Sequence, residues 1–519
     1  MSGPVPEVTA LQEVYTQQSL LEQGARWNKL LEKFQTLYGR SADFVARSPG
    51  RVNIIGEHID YSLYACLPMG ITPDVIIAVS TQPDGPSADG STYKLKLANL
   101  DDERFPTREF DVAYGEVEID ATQHEWTNYF KAGLRGALQL LKKKHGADFK
   151  PKSMQVLMDG TVPAGGGLSS SAAFVSASAL AVMIANGEKD VDKKDLTEVA
   201  IVSERAVGVN SGGMDQSASV FSERGSALLV NFFPSLSARP VFFPKTSPEL
   251  IFVVANSFVS SNKQVTGPIH YNLRVVECSM AAAVLNAKLV PGTELPKDAG
   301  PLGVSLRGFH ANYFKDSKKS ETEQVSELVE LTESTLTKEE GYTLEEVASA
   351  ANTTVDDIKA RFMSSFPVRG ERFKLRQRAL HVFTEAARVT DFLTLLEDKS
   401  NHSTSGGDTT PYNQKLGDLM NATQDSCREL YECSCPEIDE ICKIAREAGT
   451  YGSRLTGAGW GGCSVHLVPA DKVDNVKKAF HDKYYSKRNL SERDLEAAIV
   501  VSRPMNGSAV YQVNGGKLA

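Results

Sequence analysis

Apolar residues recur at helical spacing near the start of the chain. Between residues 20 and 38, Leu, Trp and Phe return every three to four positions, which predicts an amphipathic first helix. Residues 168–186 form an Ala- and Ser-rich run that is apolar on nearly every side, which predicts a buried helix. Further helices are predicted at 271–289, 321–335, 344–363, 373–396 and 437–448.

Short runs rich in β-branched and aromatic residues fall between these helices. They predict strands at 44–46, 74–80, 154–158, 226–233, 250–256, 464–469, 498–502 and 509–513. A turn is predicted at Ser48-Pro49-Gly50 and a Pro/Gly break at 162–167. Because strands and helices intermingle without a regular βαβ rhythm, the pattern favours an α+β fold over a doubly wound sheet.

Two polar segments, 315–346 and 399–414, interrupt the pattern. Their charged and polar composition predicts surface excursions or poorly ordered loops. A length of 519 residues allows about two to four domains. Two domains are sufficient if excursions between about 291 and 412 account for the surplus.

Charge and hydropathy narrow the class of protein. The chain carries 56 Lys and Arg against 65 Asp and Glu, a formal net charge of −9. Because nucleic-acid binding depends on clustered basic residues, no nucleic-acid partner is expected. The first 20 residues contain no Lys or Arg and no sustained apolar run, and the apolar stretch at 172–185 is too short to span a bilayer. We therefore expect a cytoplasmic protein with no membrane partner.

The chain has seven cysteines, few for its length and odd in number. This count argues against a disulfide framework and favours a reducing compartment. Four of them lie between Cys427 and Cys442, without a pair of C-x-x-C motifs and without a histidine. Ordinary buried thiols are therefore favoured over a zinc site.

The segment from Ser48 to Tyr61, SPGRVNIIGEHIDY, concentrates polar chemistry in a short stretch. A Pro-Gly pair, an arginine and a second glycine precede the Glu, His and Asp of GEHID. Each residue alone is typical of a surface or a turn. Together they offer several hydrogen-bond donors and acceptors in one loop, which is what orienting a ligand with several hydroxyls requires.

Three consecutive glycines and three serines occupy 162–173, VPAGGGLSSSAA. The glycines expose backbone N–H groups with no Cβ in the way, and the serines cap a helix N-terminus that carries about half a positive charge. The segment predicts an anion cradle, with a helix cap behind a flexible loop as the alternative. It lacks the lysine of a Walker A motif, so it is not the usual P-loop.

Residues 454–463, RLTGAGWGGC, formally match G-x-G-x-x-G through Gly457, Gly459 and Gly462. The dinucleotide-binding fingerprint joins a strand to a helix. Here a predicted helix precedes the glycines and a predicted strand follows them. The match is therefore not interpreted as a dinucleotide site.

Asp215 follows a glycine pair in 210–216, NSGGMDQ, downstream of Glu204. A carboxylate in this position can approach a ligand closely. An Asp beside Gly is otherwise a common turn residue. From the residues alone both interpretations stay open.

In identity, order and spacing these motifs resemble the galactokinase branch of the GHMP small-molecule kinase family, and its fungal members most closely. GRVNIIGEHIDY is similar to the galactokinase signature, VPAGGGLSSSAA to the family's nucleotide-binding loop, and LTGAGWGGC to its third motif. The resemblance implies a two-domain α+β fold, with an N-terminal domain at 1–225, a C-terminal domain at 226–519 and the active site in the cleft between them. It implies a kinase that uses ATP and Mg²⁺ to phosphorylate the C1 hydroxyl of galactose in galactose catabolism.

The resemblance also implies roles for individual residues. Asp215 corresponds to the catalytic aspartate opposite the anomeric hydroxyl of the sugar, and Arg51 lies beside it. An adjacent arginine keeps a carboxylate ionised and neutralises charge that develops during phosphoryl transfer. The implied sugar contacts are Arg51, Glu57, His58, Asp60, Asp215 and Tyr271. The implied nucleotide-binding residues are Pro163, Gly165, Gly166, Gly167, Leu168, Ser169, Ser170, Ser171, Ala172, Trp126 and Tyr129. The implied Mg²⁺ ligands are Ser171 and Glu204.

This chain departs from the family pattern at two places. Many members have Asn-Gly-Gly after the Asp-Tyr pair, whereas this chain has Ser62-Leu63-Tyr64, and the stretch between Glu204 and Asp215 is one residue shorter than in some animal relatives. Some fungal relatives bind galactose and ATP but act as transcriptional co-inducers with a repressor-protein partner. Part of that group has lost a Ser-Ala pair that is intact here at 169–173. Such a sensor and an N-acetylgalactosamine kinase are the alternatives, and buried core aromatics are the alternative for the adenine-side pair.

Overall fold

The computed structural model describes residues 3–81, 91–114, 117–120, 125–163, 165–205, 212–260, 266–398, 400 and 407–513. The α-helices with described bounds are α1 (Leu20–Tyr38), α2 (Thr127–His145), α3 (Ser170–Ala185), α4 (Lys193–Arg205), α5 (Met214–Phe221), α6 (Tyr271–Leu289), α7 (Leu306–Tyr313), α8 (Glu321–Thr335), α9 (Leu344–Ala350), α10 (Val355–Phe362), α11 (Leu375–Glu397), α12 (Thr410–Glu429), α13 (Pro436–Glu447), α14 (Val473–Lys483) and α15 (Glu492–Ala497). The strands are β1 (Glu7–Val8), β2 (Phe44–Ile55), β3 (Leu67–Thr81), β4 (Thr92–Asn99), β5 (Arg108–Ala113), β6 (Met154–Gly160), β7 (Ser226–Asn231), β8 (Ser237–Phe242), β9 (Leu250–Asn256), β10 (Gly452–Thr456), β11 (Cys463–Pro469), β12 (Ile499–Ser502) and β13 (Ala509–Gln512).

A seven-stranded sheet in the order β1-β13-β2-β3-β6-β4-β5 forms the first layer. Successive side chains of a strand point to opposite faces, and β3 shows the result. Ile77 joins the core that contains α3, whereas Ile76 joins the core around Trp27 and Phe34 of α1. The sheet is therefore covered on both faces, and α3 lies on the face that carries the glycine/serine loop.

A second, four-stranded antiparallel sheet has the order β10-β11-β9-β12. Helices α13 and α14 cover one face through Ile441 and Phe480, which pack with Val253 and Val468. The opposite face joins the large core that also holds residues of α6, α11 and α12. Strands β7 and β8 form a third, two-stranded antiparallel sheet. The mixture of sheets and many helices confirms the predicted α+β class.

The predicted domain division between residues 225 and 226 stays a prediction. The last strand of the chain, however, lies in a sheet built mainly from residues before this division. Strand β13 pairs with β2 of the seven-stranded sheet, with Val510 opposite Ala46. Every helix among the described residues is too short or too polar to cross a lipid bilayer.

The helical pattern was informative where apolar spacing is regular. Helices predicted at 20–38, 271–289 and 321–335 are confirmed at both ends. The single helix predicted at 344–363 is wrong, because Asn352 adopts a φ of 55° and Thr354 caps a second helix by accepting the N–H of Asp357 at 3.2 Å. Missed elements include β4, β5, β8, β10, α2, α4, α5, α7 and α12.

The turn predicted at Ser48-Pro49-Gly50 is wrong, because these residues lie inside β2. A register shift between Pro49 and Arg51 accommodates the proline within the strand. A Cβ at Gly50 would lie 2.9 Å from the carbonyl oxygen of Leu168. The glycine therefore permits close approach to the glycine/serine loop rather than a turn.

The polar segment at 315–346 is a packed part of the fold. It contains α8, whose Val325 and Leu328 are buried. The expectation of a poorly ordered loop is wrong there, because these apolar side chains dock on the core. In the segment 399–414, residues 399 and 401–406 lie outside the described residues, and α12 begins at Thr410.

Candidate active site

Arg51 and Asp215 form an ion pair at the centre of the site. Arg51 lies on β2, and Asp215 lies in the first turn of α5, which begins after Gly213 with a φ of 104°. The Nε and Nη2 atoms of Arg51 lie 2.7 and 2.6 Å from one oxygen, Oδ1, of Asp215. The Asp215 side chain is 20% exposed, so a ligand can reach it while the arginine stays buried. Residues 210 and 211 of the motif lie outside the described residues.

The same arginine also holds the glycine/serine loop. Its Nη1 donates to the carbonyl oxygen of Gly167 at 2.7 Å, and its backbone N–H donates to that of Leu168 at 3.1 Å. Arg51 therefore joins the Asp215 carboxylate to the predicted anion cradle.

The glycine/serine loop leads directly into α3. Gly165 and Gly167 have φ of 71° and 73°, and Ser169, the N-cap residue, has a φ of 58°. The Ser169 hydroxyl is buried and has no hydrogen-bond partner among the described residues. An unpartnered hydroxyl beside the N–H groups of a helix N-terminus fits a phosphate group. The predicted nucleotide-binding residues of this segment are Pro163, Gly165, Gly166, Gly167, Leu168, Ser169, Ser170, Ser171 and Ala172, while Ala164 lies outside the described residues.

The two predicted metal ligands are in contact. Ser171 Oγ on α3 donates to Glu204 Oε1 on α4 at 2.5 Å. The second carboxylate oxygen of Glu204 accepts the side-chain amide of Gln216 on α5. Serine hydroxyl and carboxylate oxygens are the hard donors that Mg²⁺ prefers, so the set fits this ion.

The predicted adenine-side aromatics lie at the start of α2. Trp126 packs edge to face with Phe105, at 6.1 Å between ring centroids. Tyr129 stacks on Phe174 of α3 at 6.0 Å. Burial raises the pKa of Tyr129, and the charge of Glu204 adds to the effect. Tyr129 therefore lies within electrostatic range of the predicted metal carboxylate.

Asp60 occupies a buried position near Asp215. Its Oδ2 accepts the backbone N–H of Gly212 at 3.2 Å. Burial, reinforced by the charge of Asp215, raises the pKa of Asp60 to about 6. Burial and the carboxylates of Asp60 and Asp215 also raise the pKa of Tyr271, at the start of α6. These three predicted sugar contacts are therefore brought together.

Glu57 is held by the third glycine motif. Its Oε2 accepts the guanidinium of Arg454 and, at 3.0 Å, the backbone N–H of Gly457. Arg454 is fully buried and also donates to the carbonyl oxygens of Asn53 and Ile54, at 3.1 and 2.9 Å. One oxygen of Glu57 is thus engaged within the protein.

His58 is also engaged through both ring nitrogens. Its Nδ1 lies 2.9 Å from the hydroxyl of Tyr61, and its Nε2 lies 3.0 Å from the carbonyl oxygen of Ala458. The ring lies among aromatic neighbours, with Tyr271 at 5.6 Å. Residues 56–64 carry the predicted sugar contacts Glu57, His58 and Asp60 and are called the sugar loop. The described contacts of His58 hold this loop in place.

The sequence interpretation missed Glu385, a buried carboxylate behind the sugar loop. Its Oε1 accepts the backbone N–H groups of Gly56 and Glu57 at 2.7 and 3.2 Å. Burial alone would raise its pKa, but the guanidinium of Arg388 and other positive neighbours lower it to about 2. Glu385 lies in the middle of α11, outside every motif, so the sequence carried no signal for it. Arg454 opens the third motif, and its position beside the glycines was the available signal.

The third glycine motif packs against the glycine/serine loop. It joins the antiparallel strands β10 and β11, so the rejection of a dinucleotide turn is confirmed, although β10 itself was missed. A Cβ at Gly462 would lie 3.0 Å from the carbonyl oxygen of Gly166. A Cβ at Gly457 would lie 2.3 Å from that of Gly167. The two glycine segments therefore meet backbone to backbone.

Family profiles match the chain at the segments that form this site. The galactokinase galactose-binding signature matches residues 32–81. The GHMP kinases N terminal domain matches 128–223, and the GHMP kinases C terminal profile matches 413–486. The first two ranges contain the Arg51, Glu204 and Asp215 cluster.

Relatives named galactokinase align over nearly the whole chain. The Candida albicans protein is 41% identical over 499 residues, which cover 94% of this chain and 95% of its own. The Saccharomyces cerevisiae protein is 41% identical over 509 residues, which cover 93% and 94%. Among solved structures, Lactococcus lactis galactokinase complexed with galactose superposes with a TM-score of 0.64 at 23% identity, covering 93% of this chain and 99% of that one. At that identity the structural likeness shows a shared fold.

Proposed function

Because this chain belongs to the galactokinase family of GHMP kinases, we propose that it transfers the γ-phosphoryl group of ATP to the C1 hydroxyl of galactose. The products are galactose 1-phosphate and ADP, as galactose catabolism requires. The observation that carries the proposal is the contact of Arg51 with both Asp215 and the Gly167 carbonyl. Through this contact Arg51 connects the Asp215 carboxylate, which can orient a hydroxyl group, with the glycine/serine loop, which can hold phosphate.

Asp215 acts on the attacking hydroxyl. It orients the C1 hydroxyl and accepts its proton as the sugar oxygen bonds to the γ-phosphorus and the bond to the departing ADP oxygen breaks. Arg51 binds Oδ1 of the same carboxylate and neutralises negative charge on the transferring group. Its bond to Gly167 fixes the distance between the carboxylate and the phosphate loop.

The glycine/serine loop holds the ATP phosphates. Its backbone N–H groups, the Ser169 hydroxyl and the N-terminus of α3 supply local positive potential in a chain whose net charge is −9. Trp126 and Tyr129 border the adenine side. ATP is therefore bound without a basic surface.

Ser171 and Glu204 are the residues that would hold Mg²⁺. A magnesium ion bound there supplies charge neutralisation for the nucleotide phosphates. Gln216 donates to Glu204 and thereby orients its carboxylate toward Ser171. The support for this assignment is the oxygen donor set and its position at the start of α3.

The sugar binds against the loop that carries Glu57, His58 and Asp60. Asp60, Tyr271 and Asp215 contact its hydroxyls, and the partners of Glu57 and His58 keep the loop in place. Carboxylates that accept hydroxyl hydrogen bonds discriminate strongly between sugar stereoisomers, because a mismatched sugar leaves them unpaired. We also propose a cytoplasmic location, which the seven free thiols support.

The intact serine loop and the Arg51–Asp215 pair support an enzyme over a ligand-gated sensor. A repressor-protein partner remains a proposal for a second role of the ligand-bound state. An ADP-release assay on the purified protein with galactose, N-acetylgalactosamine and glucose side by side tests the function. We expect ADP release with galactose and a product with the mass of a hexose phosphate. ADP release with N-acetylgalactosamine alone would contradict galactose as the substrate. Binding of galactose and ATP without ADP release would favour the ligand-gated sensor over the kinase.

A further inference from the structure

The sugar loop is fastened to a helix of the region between residues 291 and 412. Tyr64, in the Ser62-Leu63-Tyr64 tripeptide that follows Asp60-Tyr61, is 4% exposed. Its hydroxyl lies 2.9 Å from Nδ1 of His310 on α7, and the two rings stack at 6.0 Å with an interplanar angle of 24°. Phe383 of α11 meets the Tyr64 ring edge to face at 6.0 Å.

His310 continues this contact to α8. Its Nε2 lies 2.8 Å from the side-chain oxygen of Gln324. Burial, with the charge of Arg307 adding to it, lowers the pKa of His310 to about 4. The neutral ring donates from Nε2 to Gln324, and its Nδ1 faces two donors, the Tyr64 hydroxyl at 2.9 Å and Nη1 of Arg307 at 2.7 Å. A hydrogen-bonded chain thus runs from the sugar loop through α7 to α8.

The backbone between Asp60 and Tyr64 is short and internally closed. The N–H of Leu63 donates to the carbonyl oxygen of Asp60 at 2.9 Å, and that of Tyr64 donates to Ile59 at 3.1 Å. Leu63 has a φ of 64°, which makes the turn tight. Because the turn is closed by these hydrogen bonds, a displacement of the Tyr64 ring also displaces Asp60.

We propose that Tyr64 and His310 are positioning residues for Asp60, so that α7 and α8 set the affinity for the sugar. The inference rests on the proposed function, because it assigns to Asp60 a contact with galactose. It gives the region between 291 and 412 a role in substrate recognition.

Steady-state kinetics of Tyr64→Phe and His310→Phe test this proposal. Both changes keep an aromatic ring and remove the hydrogen bond between the two side chains. We expect the galactose KM to rise about 3- to 10-fold, with kcat and the ATP KM within about twofold of wild type. The double variant should be no worse than His310→Phe alone, because the two residues act through one contact.

Asn312→Ala is the matched control. Asn312 lies on the same helix and is buried, but its side chain donates to Asn286 of α6 at 2.8 Å. An equal rise in galactose KM in this variant would overturn the proposal, because general loosening of α7 would then explain the effect. An unchanged galactose KM in Tyr64→Phe, or a loss of kcat alone, would also overturn it. If His310→Phe does not fold, the galactose KM of Tyr64→Phe alone tests the proposal. Failure of the proposed function is distinct, because the wild-type protein would then not phosphorylate galactose.

Discussion

Gly457 packs directly against the backbone of Gly167. A Cβ at Gly457 would lie 2.3 Å from the Gly167 carbonyl oxygen, the same oxygen that accepts a hydrogen bond from Arg51. The two glycines come from motifs separated by almost 300 residues of sequence. Their contact therefore joins the glycine/serine loop to the hairpin that also holds Glu57.

Replacing Gly457 with alanine should damage nucleotide binding. The added methyl group must push the Gly167 carbonyl away, because backbone atoms on both sides cannot yield as a flexible side chain would. We expect kcat/KM for ATP to fall at least about tenfold, measured by the ADP-release assay.

Gly449→Ala is the control for backbone strain. Gly449 has a φ of 102°, close to the 90° of Gly457, but a Cβ there meets only the Lys472 side chain at 3.9 Å. Both variants carry the strain of a left-handed alanine, on the order of 1 kcal/mol. A similar loss of ATP kcat/KM in both would show that strain, not the contact with Gly167, is responsible.

Asp215→Ala should abolish transfer while galactose and ATP still bind. The variant removes the group that orients the attacking hydroxyl, and loss of such a group costs about 10²- to 10⁴-fold in kcat. Calorimetric titration should still detect binding of both substrates, with ATP bound about as in wild type and galactose bound more weakly, because one hydroxyl acceptor is lost. Near-normal turnover in the ADP-release assay would remove Asp215 from the catalytic role.

Ser171→Ala should raise the Mg²⁺ concentration needed for half-maximal activity. The hydroxyl contacts Glu204 at 2.5 Å, so its loss removes one oxygen from the proposed donor set. A Mg²⁺ titration of kcat at fixed ATP measures the effect. Ser176→Ala, a buried serine one and a half turns further along α3, is the control and should leave the titration unchanged. A Mg²⁺ dependence equal to that of wild type in Ser171→Ala would contradict the assignment.

Local chemistry and regular periodicity could be predicted from the sequence. The three motifs indicated the residues that the fold brings to one place, and α1 and α6 were predicted to both ends. These signals are short-range, because the pattern of a helix face or a glycine run is contained in a short stretch of sequence. The Arg51–Asp215 contact, by contrast, needed the family resemblance to be expected at all.

Long-range support could not be predicted. Glu385 binds the sugar loop from the middle of a helix whose residues repeat with an ordinary apolar spacing. The polar segment containing α8 was expected to be a surface excursion because its composition is polar, yet its two buried apolar residues dock the helix on the core. Tertiary packing determines the position of Glu385 and the docking of α8, and local composition does not reveal such packing.

Asp60 is held in a state that costs stability. An aspartate has an ordinary pKa near 3.8, and burial, with the charge of Asp215 adding to it, raises that of Asp60 to about 6. Between these values the unfolded chain releases the proton while the native protein keeps it. The contribution of Asp60 to the free energy of unfolding is therefore fully present below pH 4 and is lost as the pH rises through about 6.

Asp60→Asn should consequently be more stable than wild type at pH 7.5 and weaker in sugar binding. Asparagine does not titrate, and the difference between 3.8 and about 6 corresponds to about 3 kcal/mol, an upper figure for the gain relative to pH 4. Urea unfolding at pH 4.5 and 7.5 should show a clearly larger gain at the higher pH, while the galactose KM rises because one hydroxyl acceptor is lost. Asp391→Asn, an exposed carboxylate on α11, should change neither quantity. A variant that loses stability at pH 7.5 would show that the Asp60 carboxylate stabilises the fold. A variant that gains stability and binds galactose more weakly would show that the carboxylate destabilises the fold and serves sugar recognition.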